Sequence, residues 1–253
     1  RSVAVRLAPT VEPLAFAEIR GRLSAEREGA NLRFAAAGLT FTTADGVVWP
    51  HSNFTLALRQ PGGAPQSTGQ AGGELSADRL DLGAMAQVAR HVPLGAALAH
   101  ALAELAPSGQ VTALAASWDG AIDAPMRYKV KARIAGLSIA AAPSAEASGV
   151  GRPGWRNASI ELDATEAGGR ARLALDKGAL ILPGVFESSE LAFDALSTQM
   201  SWRVRAAPPG GTLPALELSL TDTKFANPDA QGELSVFHWQ TGIGASDAPI
   251  FSR

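Results

Sequence analysis

Chemistry in this chain of 253 residues would have to come from four histidines, 24 acidic residues and no cysteine. A metal or nucleophilic site needs such groups gathered at defined spacing. His91 and His100 stand nine apart with Pro93 between them, so they do not form an i,i+4 metal pair on one helix face. His51 and His238 lie far from both in sequence. No Asp/Glu cluster has the spacing of a calcium loop or a two-metal centre. The stretch GVGRPG at 149–154 matches G-x-G-x-x-G letter for letter. It follows an Ala/Ser/Pro loop, and beyond Pro153 comes a strand pattern where dinucleotide binding needs a helix. There is no phosphate loop and no G-x-S-x-G elbow. Without cysteine, disulfides, thiolate metal sites and cysteine nucleophiles are all excluded. These observations point away from an enzyme and imply no catalytic residue, no metal and no cofactor. Asn53-Phe-Thr and Asn157-Ala-Ser are formal glycosylation sequons, with meaning only in a secreted eukaryotic chain.

What remains is patterning. In PMRYKVKARIA (125–135), Met126, Tyr128, Val130, Ala132 and Ile134 share one parity, and Arg127, Lys129, Lys131 and Arg133 share the other. A period of two is the signature of a strand with an apolar and a polar face. Arg170 and Arg172 likewise oppose Ala171, Leu173 and Leu175, and Arg203 and Arg205 oppose Trp202 and Val204. Several strands therefore share an Arg/Lys face. Such a face is ordinarily solvated, and the functional alternative is contact with an anionic surface.

Most of the chain continues in this manner. Short alternating runs over 16–26, 30–41, 52–60, 109–120, 158–165, 170–182, 199–206, 214–222 and 231–239 are punctuated by Gly, Pro, Asp and Asn. Some runs switch parity. Ile134 is followed by Leu137 and Ile139 across Gly136, and Leu191 and Phe193 are followed by Leu196, Met200 and Trp202. A switch of this kind predicts a β-bulge that bends the sheet. Leu80 to Gly109 breaks the pattern. Its Leu94, Leu98, Leu102 and Leu105 step by three and four, which predicts a helix near 94–105 after a shorter one near 82–90. The segment 22–29 aligns with 161–168 and 32–41 with 173–182, each strand, Gly turn, strand. The predicted organisation is a first β-meander over 1–79, a helical pair over 80–107 and a second meander over 108–253, or one continuous sheet. The Gly/Pro/Ser-rich stretches 60–73 and 141–154 are tips of long hairpins.

Composition sets the outer bounds. A formal net charge of -2 argues against nucleic acid as a partner, and 46% hydrophobic residues suffice for a large core. No apolar run reaches the roughly 18 residues that cross a bilayer.

The order of the motifs resembles the YhdP branch of the AsmA-like proteins. The stretch 102–114, LAELAPSGQVTAL, is similar to a helix-then-strand segment of that family. Residues 159–204, with LPGVF between strands and Trp202 near the end, look like the segment that follows. Residues 221–236, TDTKFANPDAQGELSV, resemble its next turn. The resemblance implies an internal fragment of a large envelope protein of a Gram-negative bacterium, in the periplasm and held to the inner membrane by an anchor outside this fragment. It implies a long curved antiparallel sheet forming a groove, mostly β with two short helices. Phospholipid acyl chains would slide along its apolar floor between inner and outer membrane, with neighbouring segments of the full-length chain as further partners. The apolar parities then name floor candidates: Tyr128, Val130, Ile134, Leu173, Leu175, Leu180, Leu182, Trp202, Val204, Leu216, Leu218 and Leu220. The contrasting expectation is a closed β-sandwich, a structural module of a larger surface protein whose apolar face is simply core.

Overall fold

A computed structural model describes residues 3–6, 9, 11–60, 71–91, 96–122, 124–144, 149–205 and 215–240. The strands are β1 (Val3–Val5), β2 (Leu14–Glu28), β3 (Asn31–Thr43), β4 (Val48–Arg59), β5 (Gly72–Ala77), β6 (Leu80–Asp81), β7 (Ser108–Ala121), β8 (Ala124–Ile139), β9 (Gly154–Thr165), β10 (Gly168–Ile181), β11 (Glu190–Arg205), β12 (Ala215–Ala226) and β13 (Gln231–Gln240). Two helices, α1 (Leu82–Val88) and α2 (Ala96–Leu105), lie between β6 and β7. A single 3-10 turn over Ala89–His91 follows α1.

All thirteen strands form one antiparallel sheet, in chain order except that β6 pairs with β7 beside β5. The sheet is open. β13 is one edge, and β1 covers only the first residues of β2 at the other. No second sheet packs on it among the described residues, which overturns the sandwich expectation. The meanders before and after the helices join through the β5–β7 ladder, Gly72↔Asp119 to Ala77↔Leu114. The short strands β1, β5 and β6 had no alternating pattern to announce them, because two to six residues hold too few periods to read.

The sheet bends along a seam. Residues with positive φ mark it on seven strands: Gly21 on β2, Gly38 on β3, Gly109 on β7, Gly136 on β8, Asn157 on β9, Lys177 on β10 and Asp222 on β12. Register shifts sit beside them, at Arg20/Arg22, Ala36/Leu39, Ile134/Leu137, Leu175/Ala179 and Ser197/Gln199. Both parity switches expected from the sequence are present. β10 and β11 pass theirs in step, keeping one register from Leu175↔Leu196 to Gly178↔Phe193. A bulge frees backbone groups, and side chains here satisfy them. Asn53 Oδ1 accepts from Gly38 N at 2.8 Å, Asp78 Oδ1 from Asn53 N at 2.7 Å, and Asn157 Nδ2 donates to the Asp176 carbonyl at 2.7 Å. The two sequon asparagines are thus seam residues, both suited to it by a short amide and Asn157 also by its tolerance of left-handed backbone.

The helices pack on the apolar face at the seam end of the strands. Asp81 caps α1, its Oδ1 accepting from Ala84 N at 2.8 Å. Ala84 and Val88 are buried against Leu39, Phe41, Trp49, Leu80 and Val111. Phe41 stacks on Trp49 at 5.4 Å and meets Phe16 edge-on at 5.3 Å. Leu82 bridges to a second cluster of Leu137, Ala158, Leu173 and Leu175. Leu102 of α2 is buried and Leu105 half-buried, while Leu94 and the Leu98 side chain lie outside the described residues.

Candidate functional site

Register places the apolar side chains of successive strands in line. Leu23, Ala36, Phe54, Ala77 and Leu114 pair across β2, β3, β4, β5 and β7, and the row continues through Ala132, Leu162, Ala171, Met200, Leu220 and Phe237 to β13. One step toward the hairpin turns, a second row runs through Ala25, Phe34, Leu56, Leu75, Ala116, Val130, Ala164, Gly169, Trp202 and Leu218. Neither row contains a polar residue, over eleven strands in the first and ten in the second. At about 4.8 Å per strand, they extend for roughly 48 and 43 Å.

Alanine reports how sheltered each face is, since its methyl group has no reach. On the apolar face Ala36, Ala77, Ala158 and Ala164 are buried, and Ala116, Ala132 and Ala171 half-buried. On the other face Ala113, Ala115, Ala135 and Ala174 are exposed. Cover varies along the two rows: Leu23, Ala25 and Phe34 are exposed near the β2 edge, Ala36, Phe54, Ala77 and Leu114 join the cluster under α1, and from β8 to β12 the row residues are half-buried except for buried Ala164.

Aromatic rings flatten this surface. An ideal Cβ on Gly169 would lie 2.6 Å from Trp202 Cζ2, so the indole lies directly over the glycine opposite it. Trp118 covers Gly73, and Phe225 covers Gly232, in the same way. Polar side chains on this face carry their own partners: Thr198 and Thr223 share a hydroxyl–hydroxyl bond of 2.7 Å, and Ser52 Oγ accepts from Trp49 Nε1 at 2.8 Å.

Eleven of the twelve floor candidates fall on the apolar face, in three environments, and the twelfth, Leu182, lies just past the end of β10. Leu173 and Leu175 are buried, and Ile134 and Leu180 pack on them. These four form dry core near α1. Val130, Trp202, Leu216, Leu218 and Leu220 are half-buried on the open rows or next to them, and Leu182 is half-buried beyond β10. Tyr128 and Val204 are exposed near the hairpin turns.

The opposite face is laced by ion pairs. Lys131 and Arg170 both reach Asp163 Oδ2, at 3.4 and 3.3 Å, Arg133 reaches Glu161 at 3.3 Å, and Arg205 reaches Glu217 at 2.8 Å. Desolvation of Asp163, which pushes its carboxyl up, is outweighed by the combined hydrogen bonds and attraction of Lys131 and Arg170, which hold it below the ordinary range. Near the seam Arg156 grips Glu190 with both guanidinium nitrogens, lowering the Glu190 carboxyl and raising the arginine.

The histidines are dispersed. His91 is buried, its Nδ1 3.2 Å from the Glu12 carbonyl oxygen. His100 pairs with Glu104 at 3.3 Å, and Glu104 with Arg152 at 3.2 Å. His51 is exposed beside Gly38. His238 meets Ser219 at 2.9 Å through Nδ1 on an open sheet face. Among the described residues no three His, Asp or Glu side chains gather as a metal site. In GVGRPG, Gly151 N donates to the Pro183 carbonyl at 2.9 Å, Arg152 bridges to Ala142, and Gly154 opens β9 rather than a helix.

Residues 1–242 match the family described as YhdP protein. The chain belongs to the YhdP family. No curated protein and no solved structure matches this YhdP-family chain. The family match covers the whole described sheet, so the two apolar rows and the seam are features of a YhdP segment from end to end.

Proposed function

We propose that this YhdP-family segment carries phospholipid acyl chains along the apolar face of its sheet, as part of a longer protein that moves phospholipid between the inner and outer membranes. The observation behind this reading is the pair of uninterrupted apolar rows, covered among the described residues only where Ala36, Phe54, Ala77 and Leu114 join the cluster under α1. Each acyl methylene leaving water for such a surface gains about 0.8 kcal/mol, and the gain requires no particular sequence of contacts. A row of unbroken apolarity also offers a tail no preferred stop, which suits movement along it. In this reading the segment sits in the periplasm, neighbouring segments extend the rows, and a membrane anchor lies elsewhere in the full-length chain. No described helix is long and apolar enough to cross a membrane. The reading assigns no turnover to the chain.

The test is photo-crosslinking with vesicles of phosphatidylethanolamine and phosphatidylglycerol. A photoreactive residue at Val130 or Leu218 is expected to capture phospholipid, and one at Lys131 or Ser219, on the opposite face, is not. Equal capture from both faces, or none from either, would overturn the proposal.

A further inference from the structure

The polar face has a charge imbalance that the apolar rows do not explain. Between the hairpin turns and the seam, β8, β10 and β11 present eight cations on this face, against four carboxylates: Glu161 and Asp163 on β9, Asp119 opposite Arg127 on β7, and Glu217 on β12, which lies opposite Arg203 and is held by Arg205. The chain as a whole is at -2. A trough of about 840 Å³ runs across these strands, walled by Lys131, Arg133, Arg170 and Arg172 together with Glu161 and Asp163.

β9 shows which ligand such walls accept. Its Glu161 and Asp163 are alternate residues of an extended chain, so their carboxylates stand roughly 6.8 Å apart. They satisfy Arg133 on one side and both Lys131 and Arg170 between them. On the other flank of β10 the pattern stops. Arg172 faces Gln199 and Arg170 faces Ser201, both neutral. Among the described residues Arg172 and Arg203 make no ion pair. Arg172, Arg170 and Arg203 fall on three successive rows of the β10–β11 ladder, with Arg203 opposite Gly168.

We propose that this face binds an extended acidic segment of a partner protein, with carboxylates at alternate residues, laid along β10 and β11 so that it crosses the trough at Arg172 and Arg170 and ends at Arg203 beyond it. Three carboxylates in the order acid-x-acid-x-acid meet Arg172, Arg170 and Arg203 in turn. The charge complementarity is the one β9 already realises on the other side of β10.

The probe is a fluorescent heptapeptide, Ala-Glu-Ala-Glu-Ala-Glu-Ala, followed by anisotropy with the whole chain at low salt. Its isomer with three contiguous glutamates is the control for spacing. The alternating peptide is expected to bind more tightly than the isomer and to weaken as salt rises. Arg172→Gln and Arg203→Gln are each expected to weaken it roughly fivefold, the upper range of an exposed ion pair. Leu218→Ala, on the other face, is expected to leave it unchanged. Circular dichroism confirms that the glutamine variants keep the sheet, and Arg203→Lys serves as a second variant that retains the charge and the binding. Equal affinity for the two isomers overturns the proposal, and so does binding indifferent to both arginines. Polyphosphate or phosphatidylglycerol vesicles binding more tightly than the peptide, and depending on Arg172, would assign the trough to that anion instead and overturn the peptide reading.

Discussion

Leu175→Ala and Leu218→Asp separate the dry end of the apolar face from the open rows. Leu175 is 2% exposed, wedged among Leu137, Ala158 and Leu173. Truncating it leaves a cavity that the bulge-pinned strands cannot easily close, a loss of about 2–5 kcal/mol. For a chain of this size that is a fall in Tm of roughly 5–12 °C. Leu218 is half-buried on an open row. Full burial of a leucine is worth about 1.5–3 kcal/mol, so half of it is about 1 kcal/mol. An aspartate there keeps its contact with water and adds no large desolvation cost. Thermal unfolding by circular dichroism reads the first effect, and co-purified phospholipid by native mass spectrometry reads the second. Leu175→Ala is expected to melt early and retain lipid at temperatures where it is folded. Leu218→Asp is expected to melt within about 3 °C of the parent and to lose lipid. If Leu218→Asp unfolds as readily as Leu175→Ala, the open rows are closed core and the reasoning fails. If it stays folded and keeps its lipid, the tails do not travel there.

Gly169→Ala would place its Cβ 2.6 Å from Trp202 Cζ2 and 2.7 Å from the Asp163 carbonyl oxygen, so backbone as well as ring must move. We expect a loss of about 1–3 kcal/mol in urea unfolding and a shift in tryptophan emission. Lys129→Glu, at a solvated site, is expected to change stability by less than about 0.5 kcal/mol, with equilibrium unfolding as the check. Asp78→Ala removes the acceptor for the Asn53 backbone N–H, and urea unfolding should show a loss of about 1 kcal/mol. Hydrogen bonds from the Asn53 backbone and side chain hold the Asp78 carboxyl below its ordinary 3.8, and Arg156 holds Glu190 below 4.5. A carboxyl depressed in the folded state stabilises fully above its unfolded value, and that stability is lost as pH falls through the folded one. Urea midpoints should therefore be level above about pH 5 and fall below pH 4, less steeply in Asp78→Ala.

Much of this was legible from alternation alone. In 126–134 the period of two gave both faces of β8, and the parity breaks at Gly136 and between Phe193 and Leu196 marked the seam. The helices fall at 82–88 and 96–105, close to the positions their leucine spacing implied. What sequence could not give was depth. Ile134 and Val130 share a parity, yet Ile134 packs against a core cluster and Val130 lies on an open row, because α1 folds back over only one end of the strands. For the same reason Ile134→Asp is a poor probe of lipid contact, and Val130→Asp a better one. Nor could one strand reveal that its cations are answered by the next. The pairing of Lys131 with Asp163 and of Arg133 with Glu161 depends on register between β8 and β9. The asparagines at 53 and 157 carried a visible but misleading signal. Their role lies in backbone groups that bulges set free, which no motif records.

The seam also constrains how such a chain can change its length over evolution. The strands that cross the seam keep their residues on the same two rows and the same core only because their bulges fall at one level. Losing one residue between a turn and the seam would rotate the remainder of that strand, sending Lys and Arg into the apolar rows and Val and Leu into water. Adding or removing a complete hairpin disturbs neither row, since the new pair enters with its own bulges and the old edges rejoin. Viable length variants of this sheet should therefore differ by whole hairpins, about 28 to 30 residues at the size of β9 with β10, while single-residue changes are confined to the turns.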